Sequence, residues 1–334
     1  MTRRLAMALA LAGAALASCN AVLGIDEARP LDAGSDGSVT DGGLGDVVTE
    51  ALTDTSSDAV ASACDPTKPF SAPTLVPNVN TGQAPLSAHL LPDELTMILS
   101  ASVVGGSDIF SSTRPSTLAT FGAPVLLAGA NTAATQVTPS LMGDGLTMYF
   151  ASSRQPLSDG GANFDIYVAT RPTVTSSFLA PFPVDALNGP QAEGSPFVAT
   201  NGRTIYFTST RSGFNAIYRS SLLPVGGTFD TPTPATELNA GDDGAPVVSA
   251  DELTIFFSSR RGMGSGGDDI WTARRATTAG PFDAPTVVSE LNTPGNDTPA
   301  WVSADRCRIY LVSDRASDGG VGLGTTIWQA ARPK

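Results

Sequence analysis

A single histidine, His89, and three cysteines, Cys19, Cys64 and Cys307, stand among 334 residues. That is too few for a His/Cys zinc site, and no metal or cofactor is expected. Charge is also scarce, at 15% of residues, and it leans acidic, with a formal net charge of −13. A chain without a basic face has no grip on a phosphate backbone, so nucleic acid is excluded as a partner. No apolar run reaches the ~18 residues that a membrane-spanning helix needs. Aromatic residues make up only 7%. What abounds is punctuation, in 34 glycines and 25 prolines. Such a composition suits many short strands joined by turns and argues against a helical bundle.

The N-terminus has the form of an export signal. Met1-Thr2-Arg3-Arg4 leads into thirteen apolar residues, Leu5 to Ala17, a cationic segment followed by a core too short to span a bilayer. It ends in Leu16-Ala17-Ser18-Cys19, which resembles the lipobox of bacterial lipoproteins. The resemblance implies cleavage after residue 18, acylation of Cys19, and, with Asn20 rather than Asp next, an outer-membrane address. The alternative is a chance Ser-Cys behind an ordinary cleavage site. Arg3-Arg4 admits a twin-arginine reading, but the rest of that motif is missing. The mature protein is thus expected to meet the membrane through lipid only.

From Asn20 to Pro69 there is no Phe, Tyr or Trp, while ten acids are scattered among Gly, Ser, Thr and Ala. Such a segment cannot bury enough surface to offset backbone entropy, so residues 19–68 are expected to form a disordered acidic linker. Its carboxylates repel one another and keep it extended. Their spacing fits no EF-hand loop.

Residues 69–334 are repetitive. Five turn dipeptides recur at Asp93-Glu94, Asp144-Gly145, Asn201-Gly202, Asp251-Glu252 and Asp305-Arg306, at intervals of 51, 57, 50 and 54 residues. Each is followed by a β-branched and aromatic run, for example Thr147-Met148-Tyr149-Phe150 or Thr204-Ile205-Tyr206-Phe207. A polar loop and a second such run follow, as in Asp165-Ile166-Tyr167 or Asp269-Ile270-Trp271. These are strands rather than helices. Four repeats end in Phe-x-x-Pro, at Phe121, Phe178, Phe229 and Phe282. The proline forbids a ladder donor, so this segment is expected as an outer edge strand. With the strand before each tip, every repeat supplies four strands, the signature of a β-propeller blade.

The fifth repeat reaches Lys334 without a Phe-x-x-Pro segment, but one stands upstream as Phe70-Ser71-Ala72-Pro73. An all-β, five-bladed propeller follows, with this N-terminal segment closing the last blade. A monomer is expected. The repeats resemble the WD40-like propeller repeats of bacterial envelope proteins, the PD40 family related to the TolB propeller. The motif is carried by Pro139 to Gly145, Tyr149-Phe150, Ser152-Ser153-Arg154 and Asp165-Ile166-Tyr167, and again by Pro246, Ser249, Asp251, Phe256-Phe257, Ser258-Ser259-Arg260 and Asp269-Ile270-Trp271. The third repeat has Ala216 in place of the Asp, and the first lacks the arginine. The resemblance implies the fold without fixing an activity.

Several residues invite a chemical reading. Arg154 with Asp165, and Arg260 with Asp269, recur in several blades, so a repeated bridge holding each loop suits them better than catalysis. His89 occupies a place taken by Ser140, Phe197, Val247 and Trp301 in other blades, which makes it a packing residue of the inner strand. The loops between blades open with Asn80, Asn131, Asn188, Asn239 and Asn292. Their ends carry Gln83, Gln136, Glu193, Asp242 with Asp243, and Asn296 with Asp297. Glu193, Asp242, Asp243 and Asp297 are candidates for an acidic ligand rim at the channel mouth, against the alternative of merely solvated carboxylates. No catalytic residue is assigned.

The expected function is therefore non-enzymatic: a cell-envelope lipoprotein whose propeller is a platform for an envelope protein or a glycan. The alternatives are a propeller glycosidase using channel-mouth carboxylates, or a lectin. Cys64 and Cys307 should meet on one face of the last blade and, in an oxidising compartment, form a disulfide. The alternative leaves Cys64 free and Cys307 buried.

Overall fold

The computed structural model describes residues 64–80, 83–154, 163–262, 264–316 and 321–334. The signal peptide, Cys19 and the linker as far as residue 63 lie outside them. Five four-stranded antiparallel sheets form a five-bladed propeller. In blade 1 the inner, second, third and outer strands are Pro85–Leu90, Thr96–Val103, Gly106–Thr113 and Val125–Leu126. Blade 2 has Gln136–Leu141, Thr147–Ser152, Asp165–Thr170 and Phe182–Pro183. Blade 3 has Glu193–Val198, Thr204–Ser209, Ala216–Ser221 and Thr233–Pro234; blade 4 has Asp243–Val248, Thr254–Ser259, Asp269–Arg274 and Thr286–Val287. Blade 5 combines Asp297–Val302, Arg308–Arg315 and Val321–Ala331 with Thr74–Leu75 from the opposite end of the propeller sequence. The N-terminal strand does close the ring.

The tips are built from one local device. The side-chain Oδ1 of Asp93, Asp144, Asn201, Asp251 and Asp305 accepts the backbone N–H two residues on, at 2.8–3.0 Å. The residue between them takes a left-handed conformation, φ 59° at Glu94, 69° at Gly145, 67° at Gly202, 55° at Glu252 and 60° at Arg306. An Asx turn tolerates that conformation, which is why the tips were visible in the sequence. These tips define one face of the disc. The opposite face, where the inner strands begin, is the entry face.

The outer strands differ from expectation. Each pairs through only two residues, and all begin immediately after the Phe-x-x-Pro segment rather than within it. The phenylalanine serves burial instead: Phe70, Phe121, Phe178, Phe229 and Phe282 are all buried. Arg332, Arg114, Arg171 and Arg275 lie over four of these rings, 3.8–4.6 Å from the centroid. A proline can stand beside so short a ladder because it forfeits little pairing there.

Between blades, one asparagine side chain takes the place of one ladder residue. Asn80, Asn131, Asn188, Asn239 and Asn292 accept from the backbone N–H of a third-strand isoleucine at 2.7–2.8 Å. Each returns an Nδ2–H to the same isoleucine's carbonyl at 2.8–3.3 Å. The amide mimics a peptide unit and so fixes where each interblade loop leaves its sheet.

Cys64 and Cys307 are disulfide-bonded, with Cα atoms 5.7 Å apart. Residues 64–68, expected in the linker, pack against blade 5. Cys64 is buried, and Asp65 N–H donates to the Pro333 carbonyl at 2.9 Å. The covalent bond moves the edge of the folded part upstream of residue 69.

Candidate functional site

The loop asparagines deliver the chain to the first residue of each inner strand, where the expected acidic rim stands. Glu193, Asp243 and Asp297 do begin the inner strands of blades 3, 4 and 5, but each is 0% exposed. A rim open to ligand is not what they form. Glu193 Oε1 accepts from Ser209 Oγ at 2.7 Å and pairs with Arg211 at 3.1 Å, while Oε2 accepts from Gly189 N–H. Asp243 pairs with Arg261 at 2.5 Å and accepts from Ala240 and Gly241 N–H. Asp297 pairs with Arg315 at 2.6 Å and takes both the N–H and the hydroxyl of Thr293. In blade 2 the neutral Gln136 fills the position, accepting from Thr132 N–H and donating to the Ala134 carbonyl. Asp242 alone of the four candidates is exposed.

The arginines are placed by a shared local arrangement. The Nε of Arg154, Arg211, Arg261 and Arg315 donates to the serine two residues earlier at 2.8–3.0 Å. Their guanidinium groups lie 4.9–5.5 Å from aromatic rings of the second or third strand. A buried carboxylate is tolerable only with such a partner, so acid, arginine, serine and ring form one structural unit.

This corrects the expected bridges. Arg154 bonds to Ser152 and to the Ala130 carbonyl. In blade 4 the equivalent residue is Arg261, one position after Arg260. Arg260 instead pairs with Asp268 at 2.9 Å, half in solvent. Asp269 accepts from Ser265 and Gly266 N–H and holds the Gly-rich loop. The doubled Ser258-Ser259-Arg260-Arg261 reads equally well in either frame, and only the strand pairing of Ser259 with Asp243 and Asp269 decides.

The channel is apolar. Toward the entry face a cavity of about 110 Å³ is lined chiefly by inner-strand residues, among them Pro139, Pro196, Pro246 and Pro299. Toward the tip face one of about 40 Å³ meets His89, Phe197 and Trp301. Neither lining includes a carboxylate. His89 is buried, its ring 5.4 Å from that of Phe197. Burial pushes its pKa down to about 4, so the ring is neutral near pH 7. On the entry face a groove of about 260 Å³ between blades 3 and 4 includes Asp242, Arg260 and Asp268.

A larger opening, about 600 Å³, lies on the tip face between blades 1 and 2, lined by Asp93, Ile98, Leu127, Asp144, Arg171 and Val174 among others. Sequence reasoning passed over it. The signal was there: the third residue of the second strand is Tyr149, Tyr206, Phe256 or Tyr310 in four blades and Ile98 in blade 1. Nearby, Val125, Leu126, Val174, Leu179 and Phe182 are each more than half exposed.

The fold defines the class, a five-bladed β-propeller. No family model matches the sequence, and no curated protein does. Among solved structures the chain is similar to TolB from Acinetobacter baumannii, with 17% identity and a TM-score of 0.40 over 75% of this chain and 54% of that one. The match thus spans about half the length of that protein. It is similar to the catalytic domain of a GH62 α-L-arabinofuranosidase from Coprinopsis cinerea, with 10% identity and a TM-score of 0.51 over 80% and 97% of the two chains. A thermostable family-43 glycoside hydrolase matches at 14% identity and a TM-score of 0.49, over 76% and 91%. At such identities the likeness shows the fold alone.

Proposed function

We propose that this chain is a lipid-anchored, non-enzymatic platform of the bacterial cell envelope. Its propeller engages an envelope protein or glycan at the outer edges of blades 1 and 2. The observation that carries the reading is the run of exposed apolar side chains there. Val125 and Leu126 of one outer strand, and Phe182 of the next, are 66%, 53% and 57% exposed. The outer strand of blade 3 offers Thr233 and Pro234 instead. Unpaired edge strands carrying apolar side chains are natural docking surfaces. The buried entry-face acids Glu193, Asp243 and Asp297, by contrast, are consumed by the propeller's own arginines. A photo-crosslinking residue at position 182 should give a discrete adduct in intact cells, and one at position 233 should not. Equal labelling at both, or none at either, refutes the edge as the contact.

A second reading, glycoside hydrolysis, is favoured by Asp242 and Asp268, two acids that line one groove, and by the shared fold of the arabinofuranosidase. Release of p-nitrophenol from an aryl α-L-arabinofuranoside by the purified protein, lost in Asp242→Asn, would replace the platform reading.

A further inference from the structure

The inner strands do not line the channel evenly. The residue before His89, Ser140, Phe197, Val247 and Trp301 is Ala88, Pro139, Pro196, Pro246 and Ala300 in turn, and all five line the entry-face cavity of about 110 Å³. The prolines of blades 2, 3 and 4 come with distorted backbone. Thr138, Ser195 and Ala245, which precede them, have φ of 51°, 46° and 47°. A residue before proline is held toward extended conformations, so a left-handed one there is strain. The ladders shift register at the same places, between Val137 and Ser140, Gly194 and Phe197, and Gly244 and Val247. Blades 1 and 5 place an alanine at this level with no left-handed residue before it, so the propeller does not need the strain to close. The result is a lopsided cavity, with rigid proline rings on one side and, beside blades 5 and 1, the room that two methyl groups leave.

One polar side chain stands in the floor. His89 and Phe197 line both this cavity and the smaller one toward the tip face, so their rings, 5.4 Å apart, form the partition between the two. His89 is only 5% exposed. The Leu141 backbone takes one of its ring nitrogens as donor. The other nitrogen, an acceptor in the neutral ring, has no hydrogen-bond partner among the described residues. An acceptor buried in an apolar wall calls for a donor.

We infer that the entry-face half of the channel binds a phenol ring whose hydroxyl donates to His89. Apolar cavities of roughly 150 Å³ take up benzene. This one is smaller but open at the entry face, so a ring sits inside and a para substituent points out through the mouth. Phe197 offers the ring an edge or a face, and the proline C–H groups pack against its π-surface. The lining holds no Asp, Glu, Lys or Arg, and a charged ligand would lose its hydration there without a partner. The same ring is carried by a free phenol and by a tyrosine side chain, and the test separates these sources. The site lies away from the outer edges of blades 1 and 2 and does not depend on the platform reading.

Isothermal titration of the purified protein with 4-methylphenol tests the inference. Saturable binding of one molecule per chain is expected. Toluene, the same ring and methyl without the hydroxyl, should bind at least tenfold more weakly, and this comparison needs no variant. His89→Phe should bring 4-methylphenol down to the affinity of toluene and leave toluene itself unchanged, which a merely structural role for His89 would not do. Ala300→Val narrows the cavity with a residue suited to a strand, and should weaken both ligands at least tenfold without lowering the thermal midpoint. N-acetyl-L-tyrosinamide binding as tightly as 4-methylphenol assigns the ring to a protein side chain, and weaker binding assigns it to a free phenol. No saturable binding of 4-methylphenol, equal binding of 4-methylphenol and toluene, or unchanged binding in Ala300→Val would each overturn it.

Discussion

Asp297 shows why burial reverses the meaning of a carboxylate. Its two oxygens are taken by Arg315, by Thr293 N–H and by the Thr293 hydroxyl. Replacing it by Ala strands a buried guanidinium, and breaking such a pair from one side costs about 3–5 kcal/mol. Urea unfolding of Asp297→Ala should register that loss, whereas a solvated rim residue would change stability by no more than about 0.5 kcal/mol. His89 carries the opposite charge logic. Its folded pKa of about 4 lies below the usual 6.5, so between those values the unfolded chain binds more proton, and stability falls as pH drops from 6.5 toward 4. The full penalty is about 3 kcal/mol. Phe already occupies this position in blade 3 as Phe197, so His89→Phe should fold and lose that part of the acid sensitivity. Chemical denaturation at pH 7 and pH 4 measures the difference. The sequence revealed that His89 packs, because its sister positions hold Phe, Val and Trp. It hid the burial of Glu193, Asp243 and Asp297, because the first residue of a strand and the last residue of a loop look the same without the arginine that covers them.

At the scale of elements, what was legible follows from how local the cause is. The tips could be read because an Asx turn and a left-handed residue are adjacent in sequence. The outer strands were misplaced by a few residues because two paired residues leave almost no periodicity to read. Closure of blade 5 was legible by counting strands, and its cross-link followed from placing both cysteines at one face. The bond links residues 243 apart, and loop entropy puts its contribution at no more than about 4–5 kcal/mol. The Cys64→Ser, Cys307→Ser protein should unfold at lower urea by up to that amount, with the native circular dichroism spectrum retained before the transition. Equal midpoints would mean that the strand Thr74–Leu75 and the packing of Phe70 hold the closure alone.

For the whole molecule, five similar blades divide into two kinds of surface. The entry face spends most of its charge internally, through the acid–arginine–serine units and the asparagine latches, and leaves Asp242 and the Arg260–Asp268 pair toward solvent. The junction and outer edges of blades 1 and 2 depart from the repeat, with Ile98 where the other four blades have an aromatic ring, and Val125, Leu126 and Phe182 facing water. In a repeat protein, departures of this kind are where selection for something other than folding can act. The lipid attachment proposed at Cys19 belongs to this scale too, because it would set which surfaces can meet a partner near a membrane. Cys19→Ala should leave an unprocessed precursor or release soluble protein. Partition of that variant into the detergent phase of a Triton X-114 separation, unchanged from wild type, would refute acylation at Cys19.

The disulfide also determines where mechanical load enters the ring. Any pull on the chain upstream of Cys64 reaches the propeller at Cys64 and passes through the sulfur bridge into the second strand of blade 5, which is paired on both sides. Without the bridge the same pull would fall on the backbone bonds of Asp65 and Ser71 and on buried Phe70, and then on Thr74–Leu75, two residue pairs that could be peeled away one after the other. With it, the closing strand sits slack inside a covalent loop. One of the five two-residue ladders of the propeller is thereby shielded from tension applied through its own N-terminus.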